Sequence, residues 1–144
     1  MDNKFPGKDI SNEDIKTKFP LCAKKHENHK SSFEVSGVKF GSDNLVIFAG
    51  PNMVESREMI LDVAKNVKKI GADFIRGGAF KPLTFPYRSE KYNETREKGI
   101  EWLKEAKEKY NIPVITEVME EKYIPLVSEV ADIIQIGSRN MQNF

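Results

Sequence analysis

The sequence predicts an α/β fold, a parallel sheet covered by helices, on three observations. Short and almost wholly apolar strands recur from Leu45 onward, amphipathic helical stretches stand between them, and the polar residues that break the strands gather at their carboxyl ends. A sheet with one solvated face would show apolar and polar residues in alternation instead. The pattern fits either an open sheet or half of a closed barrel, and in both architectures chemistry belongs where the strands end and the helices begin.

Residues 1–32 are rich in Lys, Asp, Asn, Ser and His, with few apolar residues and no sustained period. They bury too little surface to offset the entropy of ordering, so a flexible, disordered polar tail is expected there. His26 and His29 lie three apart without Cys or carboxylate partners in an ordered element, and receive no role. Residues 33–40 alternate, with Phe33, Val35, Val38 and Phe40 apolar, and Gly41-Ser42-Asp43-Asn44 supplies turn chemistry before Leu45-Val46-Ile47-Phe48, which predicts a β-hairpin leading into a buried strand. The first helix is expected over 56–70, with Met59, Ile60, Val63, Ala64 and Val67 on one face and Gly71 as its stop. A second strand over 73–80 precedes a helix over 93–110, whose Ile100, Leu103 and Ala106 face inward with Trp102 at the edge. A third strand over 112–118, a third helix over 121–130 and a fourth strand over 131–137 follow. About four βα units have thus begun.

With 39% hydrophobic and 31% charged residues, the 144-residue chain has the composition of one soluble globular domain. Lys+Arg 23 against Asp+Glu 22 leaves a formal charge of +1, so no nucleic acid or acidic membrane surface is expected as partner and any anion site must be local. The apolar runs fall far short of the ~20 residues that a membrane-spanning helix needs, and the polar start lacks the apolar stretch of a signal peptide; a cytoplasmic location is the expectation. Cys22 is the only cysteine, which excludes an internal disulfide.

The strand ends carry Gly50-Pro51-Asn52-Met53-Val54-Glu55-Ser56, then Arg76-Gly77-Gly78-Ala79-Phe80-Lys81-Pro82-Leu83-Thr84, then Thr116-Glu117, then Gln135-Ile136-Gly137-Ser138-Arg139-Asn140. A cation in a strand that is otherwise buried costs several kcal/mol unless an anion neutralises it. Arg76, Lys81 and Arg139 at neighbouring strand ends are therefore expected to meet an anionic ligand, with Gly77, Gly78 and Gly137 letting it approach the backbone. A phosphate plus a carboxylate suits three cations. The alternative is that Glu55 and Glu117 pair with them as structural ions.

These runs, with Pro86-Tyr87, Thr116-Glu117-Val118 and Asp132-Ile133-Ile134-Gln135-Ile136-Gly137 followed by Arg139-Asn140-Met141-Gln142-Asn143-Phe144, closely resemble the 3-deoxy-7-phosphoheptulonate (DAHP) synthases of the shorter, microbial type. The resemblance covers residues 33–144 and implies the amino-terminal half of a (β/α)₈ TIM barrel, a partial barrel that alone cannot close. It implies an enzyme that condenses phosphoenolpyruvate with erythrose 4-phosphate, the first step of the shikimate pathway. In that family's reaction, C3 of phosphoenolpyruvate adds to the aldehyde carbon, water attacks C2, and phosphate leaves. Carried over to this chain, Arg76, Lys81 and Arg139 hold phosphoenolpyruvate, Lys81 also aids proton delivery, Glu117 organises water and cations, and Thr84 contacts the aldose phosphate. The open sheet edges of a partial barrel imply self-association, hence a homo-oligomer.

Three departures from the family pattern bear on function. Asn52 stands where metal-dependent members have a cysteine ligand, so no metal ligand is assigned and a divalent metal, common in the family, is weakly supported. Asparagine there is similar to the metal-independent branch of the related 3-deoxy-D-manno-octulosonate 8-phosphate (Kdo8P) synthases, which gives the first alternative function. Leu83 replaces the arginine expected to grip the aldose phosphate, and Arg88 is the nearby cation that could substitute for it. Third, further βα units of the family's barrel have no counterpart in these 144 residues, which makes a truncated, non-catalytic phosphoenolpyruvate-binding remnant the second alternative.

Overall fold

In a computed structural model of the chain, the described residues are 12–21, 23–41, 43, 45–81 and 94–142. The elements run α1 (Asn12–Lys18), β1 (Phe33–Val35), β2 (Val38–Phe40), β3 (Phe48–Ala49), α2 (Arg57–Lys69), β4 (Phe74–Arg76), α3 (Arg96–Tyr110), β5 (Val114–Glu117), a 3-10 turn (Glu121–Tyr123), α4 (Ile124–Ser128) and β6 (Ile133–Gln135). Strands β3-β4-β5-β6 form one parallel sheet in chain order, and β1 pairs antiparallel with β2. The predicted α/β class and the strand–helix rhythm are therefore present.

The amphipathic helices form where their apolar spacing lets them cover the sheet. Ser56 caps α2 by accepting from Met59 N at 3.2 Å, and Lys68 and Lys69 sit in the last turn, where positive charge suits the helix dipole. Gly71, at φ 90°, takes the left-handed turn that ends the helix, as predicted. On α2, Ile60, Leu61 and Ala64 are buried, and on α3 Gly99, Ile100, Leu103 and Ala106 are. Fully burying side chains such as Ile60 or Leu103 contributes about 1.5–3 kcal/mol each. Ile75, Val114 and Val118 meet these helices from the sheet, with Trp102 packed at the margin of the same core. An Arg57–Glu105 ion pair joins α2 to α3 across the outside.

Successive strand residues face opposite ways, so the other face of the sheet carries Phe48, Phe74, Arg76, Ile115, Glu117, Ile133 and Gln135, with Arg76 registered on Ile115 and Glu117 on Gln135. At its lower end the hairpin lays Phe40 against Phe74 and Phe48, ring centroids 5.8 and 6.0 Å away, and Phe48 meets Phe74 at 5.1 Å.

The structure adds detail to the amino-terminal stretch and departs from the expected elements at three places. The polar start is helical over Asn12–Lys18, with Lys16 and Lys18 in the last turn, where they suit the helix dipole, and Thr17 Oγ1 bonded back to Glu13 O at 2.9 Å. The hairpin turns at Ser36-Gly37, both at positive φ (50° and 79°), because a two-residue turn with two left-handed positions matches the twist of the strands. The first sheet strand is not buried: Leu45 is 84% and Ile47 43% exposed, since β3 is an edge of the described sheet. The third helix is also shorter than expected, with a 3-10 turn before α4 and Pro125 in its first turn. Among the described residues no helix is long and apolar enough to cross a membrane.

Asp132 ties the hairpin to the sheet. It accepts from Ser36 Oγ at 2.5 Å, from Val114 N at 2.8 Å and from Lys107 Nζ at 2.8 Å. Burial pushes its carboxyl up, but the bonds from Lys107, Ser36 and Val114 together outweigh that and hold it below the usual carboxylate value. A lowered folded-state value means a stabilisation that is present above the unfolded value, about pH 4, and is lost as pH falls through the folded value. Asp132→Asn is accordingly expected to lower stability by about 1–3 kcal/mol at pH 7, and by progressively less below pH 4, as measured by urea midpoints of both proteins across that range. An equal deficit at pH 7 and at pH 2.5 contradicts this.

Candidate functional site

The polar residues of the inner sheet face, the one turned away from the helices, cluster at the carboxyl ends of the strands. Arg76 ends β4, half-buried, and its Nη1 donates to the carbonyl oxygens of Pro51 and Asn52, both at 3.2 Å, and to Asn52 Oδ1 at 3.4 Å. The loop after β3 is braced for this: Val54 N donates to Gly78 O at 2.9 Å, and Thr95 Oγ1 donates to Val54 O at 2.9 Å. Neither Glu55 nor Glu117 forms an ion pair with Arg76 among the described residues. The guanidinium is solvated by neutral carbonyls and keeps its full charge, so the alternative of structural ion pairing does not hold for Arg76.

Lys81 follows on the same strand end. Its aliphatic stem lies over Gly78, where an added Cβ would stand 3.5 Å from Lys81 Cδ, and its ammonium has no hydrogen-bond or ion-pair partner among the described residues. Glu117 ends β5 and is only 8% exposed. Its carboxylate crosses the space over Gly137, where any side chain would overlap Oε1. Arg139 is exposed in the turn after β6, where Asn140 and Met141 both donate to Gly137 O and Asn140 Nδ2 reaches Met119 O at 2.9 Å. Arg76 and Glu117 thus share one strand end and one face, and Lys81 follows at the end of the Arg76 strand. Arg139 lies at the same end, in the turn after β6. Thr84, Leu83 and Arg88 lie outside the described residues.

The glycines serve packing more than ligand approach. A Cβ on Gly77 would stand 2.8 Å from Val54 Cγ2 and 3.5 Å from both Ile60 Cδ1 and Leu103 Cδ2, so this position seats the helices, while Gly137 makes room for Glu117. The expectation that Gly77 and Gly137 open the backbone to a ligand is corrected accordingly. Two contributors were missed in the sequence, the carbonyls of Pro51 and Asn52 and the Thr95 hydroxyl, while Thr116, singled out at its strand end, is buried and its Oγ1 donates to Gly77 O at 2.6 Å. Only the hydroxyls had a signal, as threonines at a strand end and a helix start.

A divalent metal finds little here. Among the described residues no group of three or more His, Cys, Asp or Glu could hold one, and the single amide at the relevant place, Asn52, has its oxygen turned to a guanidinium that repels a cation. A separate cleft of about 570 Å³, lined by Ser36, Lys68, Asp73, Lys107 and Asp132 among others, opens at the amino ends of the strands, away from Arg76.

Comparison with known proteins follows the same lines. The profile of the DAHP synthetase I family matches residues 18–144, beginning ahead of the motifs at Phe33. A phospho-2-dehydro-3-deoxyheptonate aldolase of Thermotoga maritima is 41% identical over 126 residues, 88% of this chain and 36% of that protein. A 2-dehydro-3-deoxyphosphooctonate aldolase of Pisum sativum is 38% identical over 104 residues, 66% of this chain and 34% of that protein. The crystal structure of the Thermotoga maritima DAHP synthase superposes with a TM-score of 0.70 at 41% identity over 80% of this chain and 32% of that one. A truncated form of the synthase from the same organism gives 0.67 over 80% and 40%. The chain spans about a third of the length of the curated relatives it matches.

Proposed function

Because this chain belongs to the DAHP synthetase I family, we propose that it supplies the phosphoenolpyruvate-binding strand ends of a DAHP synthase, which joins phosphoenolpyruvate to erythrose 4-phosphate. The observation that carries the proposal is Arg76, a half-buried guanidinium on the inner face with neutral carbonyls and no carboxylate around it, followed by Lys81 with its ammonium unengaged among the described residues. In this reading Arg76 and Lys81 take the phosphate and carboxylate, and Arg139 joins them from the turn after β6. Their fixed charges stabilise the charge that develops as C3 of phosphoenolpyruvate attacks the aldehyde carbon, forming the C–C bond. Water then adds at C2, the C2–O bond to phosphate breaks, and phosphate leaves. Glu117, buried and without an ionic partner among the described residues, orients that water or holds its proton, and Lys81 delivers a proton. Thr84 contacts the aldose phosphate.

The four-stranded sheet is, in the same proposal, part of a (β/α)₈ barrel, preceded by a polar tail over 1–32 and assembled as a cytoplasmic homo-oligomer. The Kdo8P-type alternative draws support from Asn52, whose amide faces Arg76 and not a metal set, and predicts a preference for arabinose 5-phosphate.

Calorimetric titration of the chain with phosphoenolpyruvate tests the proposal, together with an assay that follows loss of the enol absorbance with each aldose phosphate. Saturable binding that survives a chelator is expected, and erythrose 4-phosphate is the preferred aldose wherever turnover occurs. Absence of binding at millimolar phosphoenolpyruvate overturns the proposal; turnover with arabinose 5-phosphate alone selects the alternative.

A further inference from the structure

We infer that Asn52 is a positioning residue for Arg76, setting which edge of the guanidinium faces the anion. As a statement about a ligand this rests on the function proposed above; as a statement about Arg76 it does not. Three acceptors converge on the single nitrogen Nη1: the carbonyl oxygens of Pro51 and Asn52 at 3.2 Å and the side-chain Oδ1 of Asn52 at 3.4 Å. Nε and Nη2 have no partner among the described residues. A guanidinium binds a carboxylate or phosphate best through two parallel N–H groups. With Nη1 engaged by the loop, the Nε/Nη2 edge is the fork left for the ligand.

The loop is stiff enough to do this. Its Val54 N is bonded to Gly78 O and its Val54 O to Thr95 Oγ1, and Asn52 O stands so close over Gly78 that an added Cβ would lie only 2.9 Å from it. The two backbone carbonyls engage Nη1 whatever residue occupies position 52, and Oδ1 adds a third, side-chain acceptor that further restrains the swing of the guanidinium about its Cδ–Nε bond. Asn52 itself is exposed and buries little, so its replacement should not disturb the fold. A neutral amide is suited to the task because it accepts a hydrogen bond without cancelling the charge that the anion needs, which a carboxylate at the same place would do.

The test uses the full chain and compares wild type with Asn52→Ala and Asn52→Asp. Nitrogen-15 NMR of the arginine side chains, without ligand and assigned by loss of a signal in Arg76→Lys, reports restrained rotation of the Arg76 guanidinium. Restraint is expected in wild type and in Asn52→Asp and is expected to be measurably weaker in Asn52→Ala, with thermal unfolding unchanged in all. Phosphoenolpyruvate affinity is expected to fall about 3- to 10-fold in Asn52→Ala, one exposed hydrogen bond's worth. It should fall at least as far in Asn52→Asp, where Arg76 is held but neutralised. Identical Arg76 signals in wild type and Asn52→Ala overturn the inference. Restrained Arg76 in a chain that does not bind phosphoenolpyruvate leaves the positioning role standing and removes the proposed function.

Discussion

Replacing Arg76 by alanine is expected to weaken phosphoenolpyruvate binding by roughly 30- to 150-fold, about 2–3 kcal/mol, the value of hydrogen bonds to a charged group. The side chain is half-buried and bonded only to carbonyls of one loop, so the fold loses little by its removal and the unfolding temperature should stay within about 2 °C of wild type. Arg76→Lys is expected to recover only part of the affinity, because an ammonium keeps the charge but not the planar fork. Calorimetry on the three proteins at one salt concentration makes the comparison. If alanine and lysine variants both bind as wild type does, the anion sits elsewhere.

Phe74→Ala carries the second large effect, this time on stability: about 3–5 kcal/mol, which lowers the unfolding temperature by on the order of 10 °C. Phe74 is 0% exposed and its ring meets both Phe40 of the hairpin and Phe48 of β3. Truncation leaves a cavity where Phe40 of the hairpin packs on the sheet, so the hairpin should loosen as well. Phe33→Ala is the matched control. Phe33 stacks on Phe40 with ring centroids 4.7 Å apart but is 60% exposed, and its loss should cost about 1 kcal/mol or less. Denaturant midpoints for both variants decide the matter, and equal losses in the two contradict a core centred on Phe74.

Much of this architecture was legible because burial writes itself into periodicity. Ile60, Ala64, Ile100, Leu103 and Ala106 recur at helical spacing, and each is buried against the sheet. Arg76 was legible for a different reason: a cation inside an apolar strand has a cost that must be met somewhere. What met it was not. Backbone carbonyls such as those of Pro51 and Asn52 belong to every residue, so no side chain announces that they will solvate a guanidinium. Gly77 and Gly137 misled in the same way. A glycine beside a cation suggests ligand approach, whereas the one seats Val54 and the other makes way for Glu117, contacts between segments far apart in the chain. The hairpin turn at Ser36-Gly37 was hidden by a stronger cluster of turn residues just after it. Exposure of β3 likewise depends on what lies beside a strand, which apolar composition cannot express.

Phosphoenolpyruvate is proposed to bind at one end of this sheet face, where Arg76 and Glu117 end their strands and Lys81 follows. Backbone amide chemical shifts of the isotope-labelled chain, followed during titration with phosphoenolpyruvate, test it most directly. Saturable shifts concentrated at residues 50–54, 76–81, 116–118 and 137–140, with the amino-end cleft around Asp132 unmoved, are expected. Shifts confined to the cleft around Asp132, or none at saturating ligand, contradict it.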